Sequence, residues 1–240
     1  MPTRRFSASS AAQLMACPGS ANLELSIPGW KEPERDDDAV NARTLGSKLH
    51  ELFETAGNLP RPSMRKLIEA LQYMYDLRMT RRFHMLTEHT INADWLQQRP
   101  LTTVDAVLFT QDELHIIDYK SGTIPVDPEY NEQLMFYAAS VAHLAPKAKG
   151  ATLHIIQPWS TEGSRSWWCS LEDLARFMND AVLAEQQIMN KSTVLHPSDH
   201  CTFCPANPHS RADKGRPLCP AMMQLLYPTP PLDIDEILSA

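Results

Sequence analysis

No stretch of this chain is apolar for long enough to cross a bilayer as a helix. The opening residues, MPTRRFSASSAAQLMACPGS, carry two arginines but no sustained apolar core, which argues against a secretory signal. No internal repeat is visible, and no GxxxxGK[ST] loop occurs, so a P-loop nucleotide site is not expected. Basic residues are in deficit: 22 Lys and Arg face 29 Asp and Glu, for a formal charge of −7 and a pI of about 5.7. That balance argues against wholesale coating of nucleic acid, although a local basic channel can exist inside an acidic protein. Candidates for such a channel are Arg4, Arg5, Arg61, Arg65, Lys66, Arg78, Arg81, Arg82, Lys147 and Lys149. A chain of 240 residues is one large domain, or one and a half small ones, with ample room for a core.

The segment from Leu101 to Lys120, LTTVDAVLFTQDELHIIDYK, holds two apolar, β-branched runs around a short polar turn. Asp118 and Lys120 are two apart, so on a strand they share a face. A turn centred on Gln111-Asp112 gives a pairing register that adds to 223 and sets Asp105 opposite Asp118. Two adjacent carboxylates repel unless a cation sits between them. A solvated hairpin face with ordinary surface charges is the alternative reading of these residues alone. After a loop, a helix is expected to start beyond Pro128, with Asp127 as a cap, and on it Gln133 and Tyr137 stand at i and i+4.

Hairpin, DxK, loop and a helix bearing QxxxY together resemble the PD-(D/E)XK nuclease superfamily, in its RecB-like exonuclease branch as found in phage. Upstream, Gly46-Ser47-Lys48-Leu49-His50 resembles the GxxxH helix of that branch, and the motifs fall in the family's order along nearly the whole chain. Thr102-Thr103-Val104 stands where the family often has a glycine, and Ser47 where relatives carry threonine. Without the GxxxH context, His50 would read as a structural histidine bordering the stripe Leu45, Leu49, Leu52, Phe53 and Ala56.

The resemblance implies an α/β protein with a restriction-endonuclease-like core, a central mixed sheet flanked by helices in the order αβββαβ. The expected elements are a short helix over 7–16, helices over 40–56 and 64–82, and a strand over 85–95 containing Glu88. Strands over 151–157 and 165–169 and a helix over 171–189 follow, the helix facing inward through Leu174, Phe177, Met178, Ala181, Val182 and Ile188. Residues 1–220 would form one nuclease domain, and 221–240 a flexible acidic tail or a partner-docking peptide.

Five cysteines without an export signal point to metal binding or reactivity before disulfides. Cys17-Pro18 lies just after the first helix, Cys201-Thr-Phe-Cys204 is a CxxC, and Cys219-Pro220 follows after fourteen intervening residues. This pattern resembles the iron–sulfur staple of AddB-type and CRISPR-associated RecB-like exonucleases, which implies a 4Fe-4S cluster on Cys17, Cys201, Cys204 and Cys219. The last spacing is longer than usual in that family. Zinc held by Cys201 and Cys204 with His200 and His209 is the alternative, as is no metal. Cys169 reads as a buried small hydrophobe.

The resemblance further implies a Mg²⁺- or Mn²⁺-dependent deoxyribonuclease, an exonuclease of DNA recombination and repair in the cytoplasm of a bacterium or phage-infected cell. Asp105 and Asp118 would hold the metal with the Tyr119 carbonyl and His50; Lys120 would orient the attacking water. Gln133 would position the phosphate or DNA end, and Tyr137 would brace Lys120 or the backbone. Glu88 is either an outer-sphere carboxylate or a solvent-facing strand residue. DNA is the expected partner, with a single-strand annealing protein or a helicase as a possible second, since any unwinding must come from another chain. A non-catalytic DNA-binding or scaffold protein of the same fold is the competing function, as is a structural zinc protein.

Overall fold

The structure, a computed structural model, describes residues 6–27, 69, 72–73, 76, 83–120, 122–207 and 219–226. The expected helix over 40–56, with His50, and the end of the tail lie outside the described residues. So does most of the expected helix over 64–82, of which Glu69, Gln72, Tyr73 and Asp76 are helical. The chain divides into two compact units: residues 1–4, 13–32 and 184–240 form the first, residues 5–12 and 33–183 the second. The residues expected to form one domain, 1–220, are shared between them.

The second unit is built on a five-stranded mixed sheet in the order β1-β2-β3-β4-β5. Its strands are β1 (His84–Asn92), β2 (Leu101–Phe109), β3 (Leu114–Tyr119), β4 (Gly150–Ile156) and β5 (Arg165–Ser170). The β3–β4 pair is parallel and the others are antiparallel. The β2–β3 turn forms where Thr110 punctuates the apolar runs: its N–H donates to the Glu113 carbonyl at 2.9 Å, and its hydroxyl to Asp112 Oδ1 at 2.8 Å. Pairs from Ala106↔Ile117 to Phe109↔Leu114 keep the expected register. Continued one step, that register sets Asp105 opposite Asp118. β4 is buried along nearly its whole length, as a central strand with a parallel neighbour should be.

The parallel β3–β4 step needs a crossover, and α3 (Glu132–Val141) supplies it. The labels α1 (Ala11–Ala16) and α2 (Pro18–Leu25) belong to the segments before the sheet. The start of α3 differs from expectation: it begins four residues beyond Pro128, and its cap is Asn131, whose side chain accepts from Leu134 N at 3.1 Å. Tyr130 interrupts helical geometry with φ of 49°, while Asp127 closes a local turn by accepting from Glu129 N at 3.0 Å. α3 is buried on most sides and packs on β3, β4 and β1. Phe136 stacks on Phe6 and meets Trp95, which also touches Phe177. α4 (Leu171–Met189) has the expected bounds. Leu174, Phe177, Ala181 and Ile188 are buried, joined by Ala184 and Glu185, while Met178 and Val182 are half-buried. No helix among the described residues is long and apolar enough to cross a membrane.

On the other face of the sheet, Ala106, Leu108, Ile117 and Ile156 form a core with Tyr73, Phe83, Met85 and Tyr119 packed against it. His154 is buried beside it, 2.7 Å from Tyr73 OH through Nδ1 and 3.0 Å from His115 Nδ1 through Nε2. Burial pushes its pKa down to about 3, and the neighbouring His115 adds to that effect. The unfolded chain takes up a proton near pH 6.5 that the folded chain refuses until about pH 3. This histidine therefore favours folding above pH 6.5, and that contribution is lost as pH falls towards 3. Urea unfolding across that range should show His154→Gln flattening the acid slope, by at most roughly 1.4 kcal/mol per pH unit. An unchanged slope would mean that other groups govern the acid limb.

Candidate functional site

The hairpin register and α3 bring four of the singled-out residues, Asp118, Lys120, Gln133 and Tyr137, into one hydrogen-bonded group, with Asp105 bonded nearby to the Tyr119 backbone. Asp118, 4% exposed, pairs through Oδ2 with Lys120 Nζ at 2.8 Å. Gln133 brackets this pair: its Oε1 accepts from Lys120 Nζ at 2.8 Å, and its Nε2 donates to Asp118 Oδ1 at 3.2 Å. The same Nε2 donates to Tyr137 OH at 2.9 Å, so the i, i+4 spacing on α3 is used as the sequence suggested. Tyr137 thus braces Gln133, where the expectation had it bracing Lys120 or the backbone. Asp105 Oδ2 accepts from the backbone N–H of Tyr119 at 2.7 Å, across the hairpin. Burial raises the Tyr137 pKa and the Asp118 and Asp105 charges raise it further, against the opposing Gln133 hydrogen bond. The phenol therefore stays protonated at any pH near neutrality.

Glu88 falls in line with this group. On either side of it, Thr87 pairs with Ala106 and His89 with Val104, so its register position is opposite Asp105. Three acidic residues therefore stand in one row across β1, β2 and β3. Glu88 is half-buried and has φ of 47°, a left-handed conformation in the middle of a strand. Nothing in a single sequence signals that conformation for a glutamate.

Beyond Lys120 the loop is held by residues that the sequence reading passed over. Gln157 donates to the carbonyls of Gly122 and Ile124 and accepts from Val126 N. Arg165 pairs with Glu162 and Asp127 and donates to the Val126 carbonyl at 2.8 Å. Both bear on the path that the chain takes from DxK to α3. Of the candidate basic positions only Lys147 and Lys149 are described, and both are exposed. Lys147 reaches Gln111 Oε1 at 3.1 Å, at the turn end of the hairpin away from Lys120.

The first unit gathers Cys17, Cys201, Cys204 and Cys219, all buried, around one pocket with Ser20, His196 and His200. Cys17 caps α2, with Pro18 at its first turn. Its sulfur accepts from His196 N at 3.4 Å, from a residue 179 positions away. Gly19 makes this closure feasible: its N–H donates to the Val194 carbonyl, and a Cβ there would lie 2.3 Å from that oxygen. Ser198 N donates to Cys201 Sγ, and Cys204 N to the Cys201 carbonyl. Cys219 N donates to the Ala206 carbonyl at 2.9 Å, which returns the chain to the pocket despite the long spacing. α5 (Pro220–Leu226) follows, where the sequence suggested the start of a flexible tail.

Burial pushes the Cys17 thiol up and the Cys204 thiol to about 11, with the neighbouring sulfurs adding smaller increments. Among the described residues no three His, Cys, Asp or Glu side chains are placed to hold a single ion. His200 Nε2 is 3.7 Å from Cys201 Sγ, and His209 lies outside the described residues. Cys169, fully buried on β5, has its thiol raised to about 12 and behaves as a small apolar residue.

In class, then, this is an α/β protein whose five-stranded mixed sheet is flanked by helices and carries a carboxylate–lysine–glutamine–tyrosine group. The chain belongs to the family described as "Protein of unknown function (DUF2800)", whose pattern it matches over residues 64–238. Among solved structures it is similar to one titled "Crystal structure of SSO0001", at 15% identity, 81% coverage of each chain and a TM-score of 0.35.

Gly19→Ala is expected to destabilise the first unit, because a methyl group there meets backbone rather than a movable side chain. The cost should be on the order of 1–3 kcal/mol, as for overpacked sites. Thermal unfolding checks this, and a melting temperature equal to that of the parent protein would refute the close approach.

Proposed function

We propose that this protein is a metal-dependent DNA nuclease of the PD-(D/E)XK type, acting as an exonuclease. The observation that carries the reading is the hydrogen-bonded group of Asp118, Lys120, Gln133 and Tyr137 beside Asp105. A binding protein or scaffold has no need to bury an aspartate against a lysine and bracket both with one amide. Among the described residues the order β1-β2-β3, α3, β4 supports this reading.

The donor set fits a hard divalent cation: oxygen-rich, with two carboxylates, a backbone carbonyl and one imidazole. Asp105 and Asp118 would hold Mg²⁺ or Mn²⁺, with the Tyr119 carbonyl and His50. When bound, the ion would supply Lewis-acid charge to the scissile phosphate and favour ionisation of the attacking water. The chain's own residues do the rest. Lys120 offers a positioned ammonium that orients the water and stabilises charge on the phosphate. Gln133 accepts from the ammonium through Oε1 and donates to the carboxylate through Nε2, which orients the two side chains together. Tyr137 holds the amide in that rotamer, and Glu88 adds a third carboxylate to the row at its outer end.

The four thiols of the first unit fit a soft polynuclear group. They share one pocket and receive backbone N–H donors at Cys17 and Cys201. A 4Fe-4S cluster held by Cys17, Cys201, Cys204 and Cys219 would favour the thiolates over the thiols that burial otherwise enforces. Its role would be structural, tying distant parts of the chain into one unit.

The direct test is digestion of end-labelled linear, circular and single-stranded DNA in Mg²⁺ or Mn²⁺. Asp118→Asn or Lys120→Ala should lower cleavage by ~10²-fold or more while circular dichroism stays unchanged. No metal-dependent cleavage by the parent protein, or near-parental cleavage by folded Asp118→Asn, would overturn the reading. For the second site, Cys17→Ser should bleach a brown, anaerobically purified protein and lower its melting temperature, while Cys169→Ser should do neither. One zinc per chain in a colourless parent protein would replace the cluster and leave the nuclease reading in place.

A further inference from the structure

Glu24 and Gln13 have no part in the chemistry above, yet both are committed to the thiol pocket. Glu24 is fully buried on α2. The Gln13 side-chain nitrogen donates to Glu24 Oε1 at 2.5 Å and lies 3.1 Å from Ser20 Oγ and 3.8 Å from Cys204 Sγ. One amide nitrogen with two hydrogens therefore faces three acceptors: the buried Glu24 carboxyl group, the Ser20 hydroxyl and, at the longest distance, the buried Cys204 sulfur. The Ser20 and Cys204 contacts share the second hydrogen. Ser20, beside it, lines the same pocket, and its N–H donates to the Cys17 carbonyl. A buried carboxyl group is a costly way to fill space, and here it fixes the rotamer of a side-chain amide that lies against the Cys204 sulfur.

We propose that Gln13 is a positioning residue for the metal-bound Cys204 thiolate, donating a hydrogen bond to its sulfur in an orientation set by Glu24. The inference rests on the iron–sulfur reading and goes beyond it, since it names what sets the affinity of the cluster for an electron. An N–H donor withdraws charge from a ligating sulfur and so favours the more negative, reduced cluster. Removing it should make the cluster harder to reduce without removing any ligand.

The experiment is a dithionite titration of the full chain, purified anaerobically with its cluster and followed by visible absorbance and electron paramagnetic resonance. Gln13→Leu should retain iron and show about tenfold weaker electron uptake, equivalent to a potential about 59 mV more negative for a one-electron couple. A stranded carboxyl group could cost Gln13→Leu its fold. Glu24→Leu is therefore compared with the double variant Gln13→Leu/Glu24→Leu, and the same downward shift between those two proteins is expected. A brown parent protein whose potential is unmoved in both comparisons overturns this inference alone. A parent protein without iron overturns the cluster reading and this inference with it.

Discussion

The alignment of β2 against β3 is the constraint on which the rest of the second unit depends. Their register sets Asp105 beside Asp118, and two carboxylates so placed repel unless positive or donor groups are supplied. The fold supplies them from several directions: Lys120 at the end of the same strand, the Tyr119 N–H, and the Gln133 amide from α3. α3 packs against β3 and β4, with Gln133 reaching the end of β3. The loop leading to it is pinned by Gln157 and Arg165 rather than left to wander. A slip of one residue in the hairpin would turn Asp118 to the apolar face of Ile117 and Ile156, so register and chemistry are specified together.

The first unit repeats that logic with sulfur. Burial disfavours thiolates, and gathering several raises the cost further, as the upward shifts at Cys17 and Cys204 show. Backbone N–H groups from His196 and Ser198 point at two of the sulfurs, and the Gln13 amide points at a third. Such donors are of small use to neutral thiols and of considerable use to metal-bound thiolates. The absence of a side chain at Gly19 lets α2 approach the Val194 backbone, and through that contact the early cysteine reaches the late ones.

Much of this was legible in the chain. The β2–β3 turn, the register and the bounds of α4 follow from local patterns: β-branched runs around a polar pair, and an apolar stripe at helical spacing. The start of α3 was misread because Asp127-Pro128 carries the usual signal of a helix start, whereas the left-handed Tyr130 and the Asn131 cap delay it. Ala184 and Glu185 were missed on α4 because a small residue and a charge carry little apolar signal. Glu88 read equally as an outer-sphere carboxylate or a solvent-facing strand residue. Its place in the acidic row depends on pairing between β1 and β2, and nothing within β1 announces that pairing.

The sequence by itself determined which side chains could do chemistry and how they alternate along each element, because strand and helix periods are local properties of the backbone. It also marked four cysteines in short motifs. Only the tertiary structure decided that Gln133 brackets Lys120 with Asp118, and that Tyr137 braces Gln133 rather than Lys120. It alone placed Gln13 between Glu24 and Cys204. These contacts join residues from separate elements or distant parts of the chain. Their geometry is set by the close packing of whole units, which no local period encodes.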